Sequence, residues 1–132
     1  VVTLVAHSVR SVDRMASTDA TRSVGCACIA PASVYPPSWY PDTFDMDVHV
    51  IYNLCVASDF QGGGIGRQLV KAAKQRVTGP LYLFVLKTGV KSRVRDIASE
   101  MQRRVQRLET TYRRMGLRRV ADMDNVVLFQ VA

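Results

Sequence analysis

A chain of 132 residues that is 48% hydrophobic and 22% charged can bury one self-sufficient core, which excludes a disordered or fibrous polypeptide and predicts a single domain over residues 1–132. No apolar run approaches membrane-spanning length, and the opening Val1 to Ala6 lacks a basic leader, so a cytoplasmic (intracellular) protein with no membrane partner is expected. The net charge of +7 leaves three readings open, namely nucleic acid, an acidic cofactor or a solvated helix face.

Val1 to His7 is predicted as a strand, followed by a polar loop through Ser23. A second strand runs near Val24 to Ala30 and is ended by Pro31. Cys26 and Cys28 share a face of that strand, while Cys55 falls in another apolar run. Their spacing fits no metal site, so the three cysteines are expected to be small core fillers and no metal is expected. Pro36, Pro37 and Pro41 make Ala32 to Phe44 an irregular connection. Val48 to Ala57 is nearly continuous in apolar character and is expected to be a central strand.

From Ile65 onward, Leu69, Val70, Ala73 and Val77 fall at helical spacing, and Gly79-Pro80 stops the helix. Leu81 to Leu86 is another buried strand, and strand–helix–strand in this order predicts a right-handed crossover between parallel neighbours. Val94, Ile97, Met101, Val105, Leu108, Tyr112 and Met115 then repeat at steps of three and four, a helix of about seven turns. Its stretch also carries most of the basic excess, including Arg103, Arg104, Arg107, Arg113 and Arg114. Aromatic interleaving that stacks bases is missing there apart from Tyr112, so a nucleic-acid partner is the less favoured reading. Gly116 caps the helix, and Val120 with Val126 to Val131 predicts two closing strands joined at Met123-Asp124-Asn125.

The residues that carry chemistry begin at Gln61-Gly62-Gly63-Gly64-Ile65-Gly66, between a strand and a helix. Small residues there let backbone N–H groups curl round an anion at the positive end of the helix dipole. A dinucleotide fingerprint fails, because Arg67 or Leu69 stands where its third glycine belongs, and no Gly-Lys-Ser/Thr completes a Walker loop. The remaining pattern, Q-x-x-G-x-G, resembles the pyrophosphate loop of the GNAT N-acetyltransferases. Tyr112-Arg113-Arg114-Met115-Gly116-Leu117 is similar to that family's Y-x-x-x-G-F/L signature, and Asn53-Leu54-Cys55-Val56 resembles its N-L-A-V segment.

The resemblance implies an α/β fold with a mixed, mostly antiparallel sheet, a central parallel strand–helix–strand crossover and two main helices. It implies acetyl-CoA as cofactor, with the backbone of Leu54, Cys55 and Val56 along the pantetheine arm. Gln61, Gly62, Gly63, Gly64, Ile65 and Gly66 would face the pyrophosphate, with Arg67 and Lys71 beside it. Tyr112 matches the family's general acid; by spacing alone it is equally an interior tyrosine on the apolar stripe. A backbone N–H near Val56 would stabilise charge on the thioester oxygen.

Acceptor residues are less marked. The strand positions where relatives place a base hold Val50 and Tyr52, so deprotonation is expected through water, aided by Asp47 or His49. Asp42, Asp45 and Asp47 beside Trp39 and Tyr40 suggest an acidic mouth for a polyamine, a lysine side chain or a similar small cationic amine. Asp45, Asp47, His49 and Tyr52 are thus the candidate acceptor residues. Three departures from the family stand out. The usual N-terminal strand and helices are expected to be lacking, Val105 stands where an asparagine is usual, and the last helix suggests an insertion after Lys87-Thr88-Gly89. Two function classes remain: an acetyl-CoA-dependent N-acetyltransferase acting by direct attack in a ternary complex, or a CoA-binding or nucleic-acid-associated module with lost or secondary catalysis. A homodimer is compatible with either.

Overall fold

The structure, a computed structural model, describes residues 2–9, 21–87 and 97–132. Its elements in chain order are β1 (Val2–Val9), β2 (Thr21–Pro31), β3 (His49–Val56), α1 (Ile65–Arg76), β4 (Leu81–Leu86), α2 (Ile97–Arg114), β5 (Leu117–Asp122) and β6 (Val126–Val131). One six-stranded sheet runs β1-β2-β3-β4-β6-β5. All neighbours are antiparallel except β3 and β4, which are parallel with α1 between them in sequence. The expected α/β class, mostly antiparallel sheet and central parallel pair are present. Val94 and the segment after Lys87 lie outside the described residues.

The two faces of the sheet are covered differently. On one, Leu69, Val70 and Ala73 of α1 and Val105 of α2 pack on Ile51, Leu83, Phe129 and their neighbours. Fully burying a side chain such as Phe129, with 0% exposure, contributes about 1.5–3 kcal/mol. On the other, the connection between β2 and β3 folds Ala32 and Tyr40 against Val50, Phe84 and Leu128. That connection is held by rings. Tyr35 and Trp39 stack at 5.4 Å, both meet Phe84 edge-on, and Phe44 lies edge-on to Tyr82 at 4.8 Å.

Both closing strands are present, β5 beginning at Leu117 directly after Gly116, whose φ of +88° turns the chain out of α2. Two expectations are corrected. The cysteines are not uniformly core: Cys28 is buried, Cys26 is half-buried and Cys55 is exposed, because β3 leaves the cover of its neighbour before reaching Cys55. Tyr40 is a core residue whose hydroxyl donates to Ala32 O at 3.0 Å, so its face is not available to a cation.

Candidate active site

β3 and β4 are laddered only over His49↔Leu81, Val50↔Tyr82 and Ile51↔Leu83. Beyond Ile51 they part, and a cavity of about 270 Å³ opens between them. The parting coincides with a bulge. Ile29 pairs with Ile51 but Cys28 pairs with Asn53, so Tyr52 has no residue opposite it on β2. The extra residue switches the faces of β3. Val50 packs on the aromatic side, whereas Ile51, Leu54 and Val56 all pack on the helix side.

Backbone direction follows from the same ladder. The Ala57 N–H donates to Val24 O at 2.7 Å, which makes Val24 and Ala57 a hydrogen-bonded pair. In an antiparallel ladder such pairs alternate, so Cys55 turns its N–H and C=O toward β2, while Leu54 and Val56 turn theirs away from it. Those groups face the gap that β4 has left. An extended ligand entering there meets the N–H groups of Leu54 and Val56 and the Leu54 carbonyl at strand spacing, the Val56 carbonyl already accepting from the Gln61 side chain.

Residues belonging to both faces of the sheet line the cavity. Arg104, Leu108 and Tyr112 of α2 line it on the helix side, and Tyr52 and Phe84 line it on the aromatic side. Tyr112 is half-buried with its ring edge-on to Phe129 at 5.2 Å. Burial pushes its phenol above the usual tyrosine value, the Arg104 guanidinium pulls the other way, and the Cys55 thiol adds to the rise. The hydroxyl is therefore protonated at neutral pH, as a proton donor must be. Tyr52, at the bulge, is 37% exposed and its ring centre lies 6.1 Å from that of Tyr35. A hydrogen bond with the Cys28 thiol, ahead of burial, pushes its phenol up as well.

The glycine-rich turn leads from β3 into α1. Gly62 and Gly64 have φ of +84° and +83°, the left-handed region that glycine adopts without strain. Gly64 is the N-cap of α1 and offers no side-chain cap, so the N–H groups of the first turn keep their capacity for an anion. No acidic residue occupies that turn, and exposed Arg67 does. The Gln61 side chain donates to Val56 O at 3.1 Å, which ties the turn to the strand beside the gap. Gly66 is small for a packing reason: a Cβ there would meet Met115 Cε at 3.2 Å, where the end of α2 abuts α1.

The structure thus brings Tyr52, Leu54 and Tyr112 to one opening, with Val56 two residues farther along β3 and Gln61 to Arg67 in the turn and first helical residues that follow. It does not bring Asp45, Asp47 and His49 there. His49 stands on the first, closed rung of the β3/β4 pair, about 10 Å before Tyr52 at strand rise. Asp45 and Asp47 are exposed before it, and the Asp47 N–H donates to Asp45 Oδ1 at 2.9 Å, a local turn. Arg104 and Phe84 were not singled out by sequence reasoning. Arg104 precedes Tyr112 by about two turns on the same helix, a spacing that could have flagged it. Nothing local marks Tyr35 or Phe84 as neighbours of Tyr52.

Much of the basic stretch is spent on the surface. Glu100 pairs with Arg103 and Arg107, and Glu109 with Arg113 and Arg119. Among the described residues, no helix is long and apolar enough to cross a membrane and no group of His, Cys, Asp or Glu is placed to hold a metal ion.

Comparison with known proteins gives a consistent family. The family model described as an acetyltransferase (GNAT) domain matches residues 15–118. No curated protein matches the chain. Among solved structures, a protein from Pyrococcus horikoshii OT3 is 19% identical with a TM-score of 0.52, over 87% of this chain and 60% of that one. A chain of the NatC complex bound to Gag peptide and CoA is 16% identical with a TM-score of 0.55, over 98% and 69%. A GNAT family acetyltransferase from Elizabethkingia anophelis, with acetyl-CoA bound, is 20% identical with a TM-score of 0.46, over 87% and 71%. The chain therefore spans less than two thirds of the length of the Pyrococcus protein.

Proposed function

The chain belongs to the GNAT acetyltransferase family, and from that footing we propose that it moves an acetyl group from acetyl-CoA to a primary amine by direct attack in a ternary complex. The observation that carries this reading is the gap beyond Ile51, into which Leu54 and Val56 turn their backbone groups. The residues present fit acetyl-CoA: an unladdered strand edge for the amides of pantetheine, and an uncapped helix start with left-handed glycines for the pyrophosphate. When bound, the cofactor supplies the acetyl group as a thioester.

The chain's own groups then have separate tasks. Leu54, Cys55 and Val56 hold the extended arm, Cys55 by fixing the strand to β2. The N–H groups from Gly62 to Arg67 hold the phosphates. Tyr112 Oη keeps the proton that the departing sulfur requires, in a site that water reaches only in part. A backbone N–H at Val56 faces the gap and is placed to stabilise a carbonyl oxygen that gains charge.

The acceptor enters on the aromatic side, where Tyr52, Tyr35, Trp39 and Phe84 form a wall. Such a wall suits an alkylammonium, as in a polyamine or a lysine side chain, through cation–π contact. The ammonium must lose a proton before attack, at a cost of about 4.6 kcal/mol at pH 7 for a group of pKa about 10.4. Among the described residues, no carboxylate or imidazole lines the cavity. Deprotonation accordingly runs through water, and Asp47 and His49 act only from a distance. The same feature favours the second reading, a CoA-binding module without turnover. Thiol release from acetyl-CoA, followed across a panel of amines, separates the two. Amine-dependent release supports transfer, and tight acetyl-CoA binding without release from any amine supports the module.

A further inference from the structure

β2 and β3 carry three cysteines on one face near their shared end, and their thiols, unlike the Cys55 backbone, have no part in the tasks described above. The register sets Cys26 directly opposite Cys55, and counting back from the Val24–Ala57 bond makes them a hydrogen-bonded pair. The Cα atoms of such a pair lie about 5.5 Å apart, within the range of about 4.4–6.8 Å that a disulfide spans. Burial first, and then the nearby Cys55 thiol, raise the Cys26 pKa, and Cys55 Sγ donates to Asn53 Oδ1 at 3.0 Å. Cys55 is exposed, Cys26 is half-buried, and Cys28 is buried with its thiol hydrogen-bonded to Tyr52.

We propose that Cys26 and Cys55 are a dithiol modification site that forms a reversible cross-strand disulfide by exchange with low-molecular-weight disulfides. Exposure makes Cys55 the entry point, and burial, followed by the neighbouring Cys55 and Cys28 thiols, pushes the Cys26 thiol up. The Cys55 thiolate attacks one sulfur of the small disulfide, forming a mixed disulfide and releasing one thiolate. Cys26, on losing its proton to water, attacks Cys55 Sγ, the second small thiol leaves, and the protein sulfurs are joined. The protein is oxidised by two electrons, and the small disulfide is reduced to two thiols.

The bond would be labile. Opposed side chains of a hydrogen-bonded pair sit farther apart than the Cβ separation of about 3.8 Å that a relaxed disulfide prefers, and one sulfur is open to solvent. Strained or exposed disulfides are the readily reduced ones, which suits an exchange site rather than a structural staple. The bridge also falls between Leu54 and Val56, the residues whose backbone faces the gap.

The test is peptide mapping by mass spectrometry of the folded full chain after incubation with oxidised glutathione. The expected product is a linked peptide joining Cys26 to Cys55, lost on addition of dithiothreitol. Cys28→Ala should give the same product, and Cys26→Ser should stop at a glutathione adduct on Cys55. A wild-type chain that stops at the adduct, stays fully reduced, or links through Cys28 overturns the proposal. Because the readout is covalent, it is independent of whether acetyl transfer occurs.

Discussion

Replacing Gly64 with asparagine or with aspartate isolates the charge at the glycine turn. Both side chains are the same size, and both tolerate the left-handed region better than other residues do, so the φ of +83° imposes a similar cost on each. Neither Cβ would meet another atom within 4 Å, so packing is not the discriminator. The aspartate alone adds a negative charge beside the uncapped start of α1. For a phosphate charge about 5 Å away at an effective dielectric of about 20–40, repulsion is about 1.7–3.3 kcal/mol. That corresponds to roughly 15- to 250-fold weaker binding. Calorimetric titration of acetyl-CoA into Gly64→Asn and Gly64→Asp, at fixed ionic strength, reads the difference directly. Thermal melts should show the aspartate variant no less stable than the asparagine variant, because the strain is shared and a negative charge at the helix start contributes about 0.3–1 kcal/mol. Equal affinities in the two variants would refute a phosphate at this turn.

Tyr112→Phe keeps the ring on Phe129 and removes the proton, so kcat should fall on the order of a hundredfold with acetyl-CoA affinity unchanged. Because the phenol is raised above its usual value of about 10, the protonated, active form persists to that pH and is lost only above it; the alkaline limb of the rate profile should therefore lie above about 10 and vanish in the variant. Gly25→Ala would put a Cβ 2.8 Å from Cys55 O and 3.2 Å from Leu69 Cδ1, which should destabilise the fold by about 1–3 kcal/mol and lower its Tm. Tyr52→Ala should raise the acceptor KM by several-fold, through the loss of about 0.5–2 kcal/mol of cation–π contact. Neutralising Asp45 and Asp47 together should change it less at physiological salt, since both are exposed to screening ions and precede the closed rung at His49.

The elements that sequence made legible are those whose signal is local. Leu69, Val70 and Ala73 declare a helix by spacing, and all three are buried as that spacing demands. Gln61 to Gly66 and Tyr112 to Gly116 declare themselves by residue type; Tyr112 lines the β3/β4 opening, and the glycine turn connects the end of β3 to α1. What stayed hidden depends on pairing between distant strands. The bulge at Tyr52 is a property of register with β2, and nothing in the run from Val50 to Val56 marks it. It also decides that Leu54 and Val56, rather than Cys55, face the helices. The end of the β3/β4 ladder at Ile51 is equally non-local, and so is the meeting of Tyr35, Trp39 and Phe84. The aspartates are legible only as residue types: near Trp39 and Tyr40 in sequence, Asp45 and Asp47 form a local turn, while Tyr40 is buried and bonded to Ala32 O.

The central claim is that the gap beyond Ile51 receives the extended arm of acetyl-CoA along β3. Amide hydrogen exchange at single-residue resolution, measured with and without acetyl-CoA, tests it most directly. The expected result is slowed exchange at Leu54 and Val56, and from Gly62 to Arg67, with Cys55 unchanged because its N–H already faces β2. Unchanged exchange at Leu54 and Val56 under saturating acetyl-CoA would contradict it.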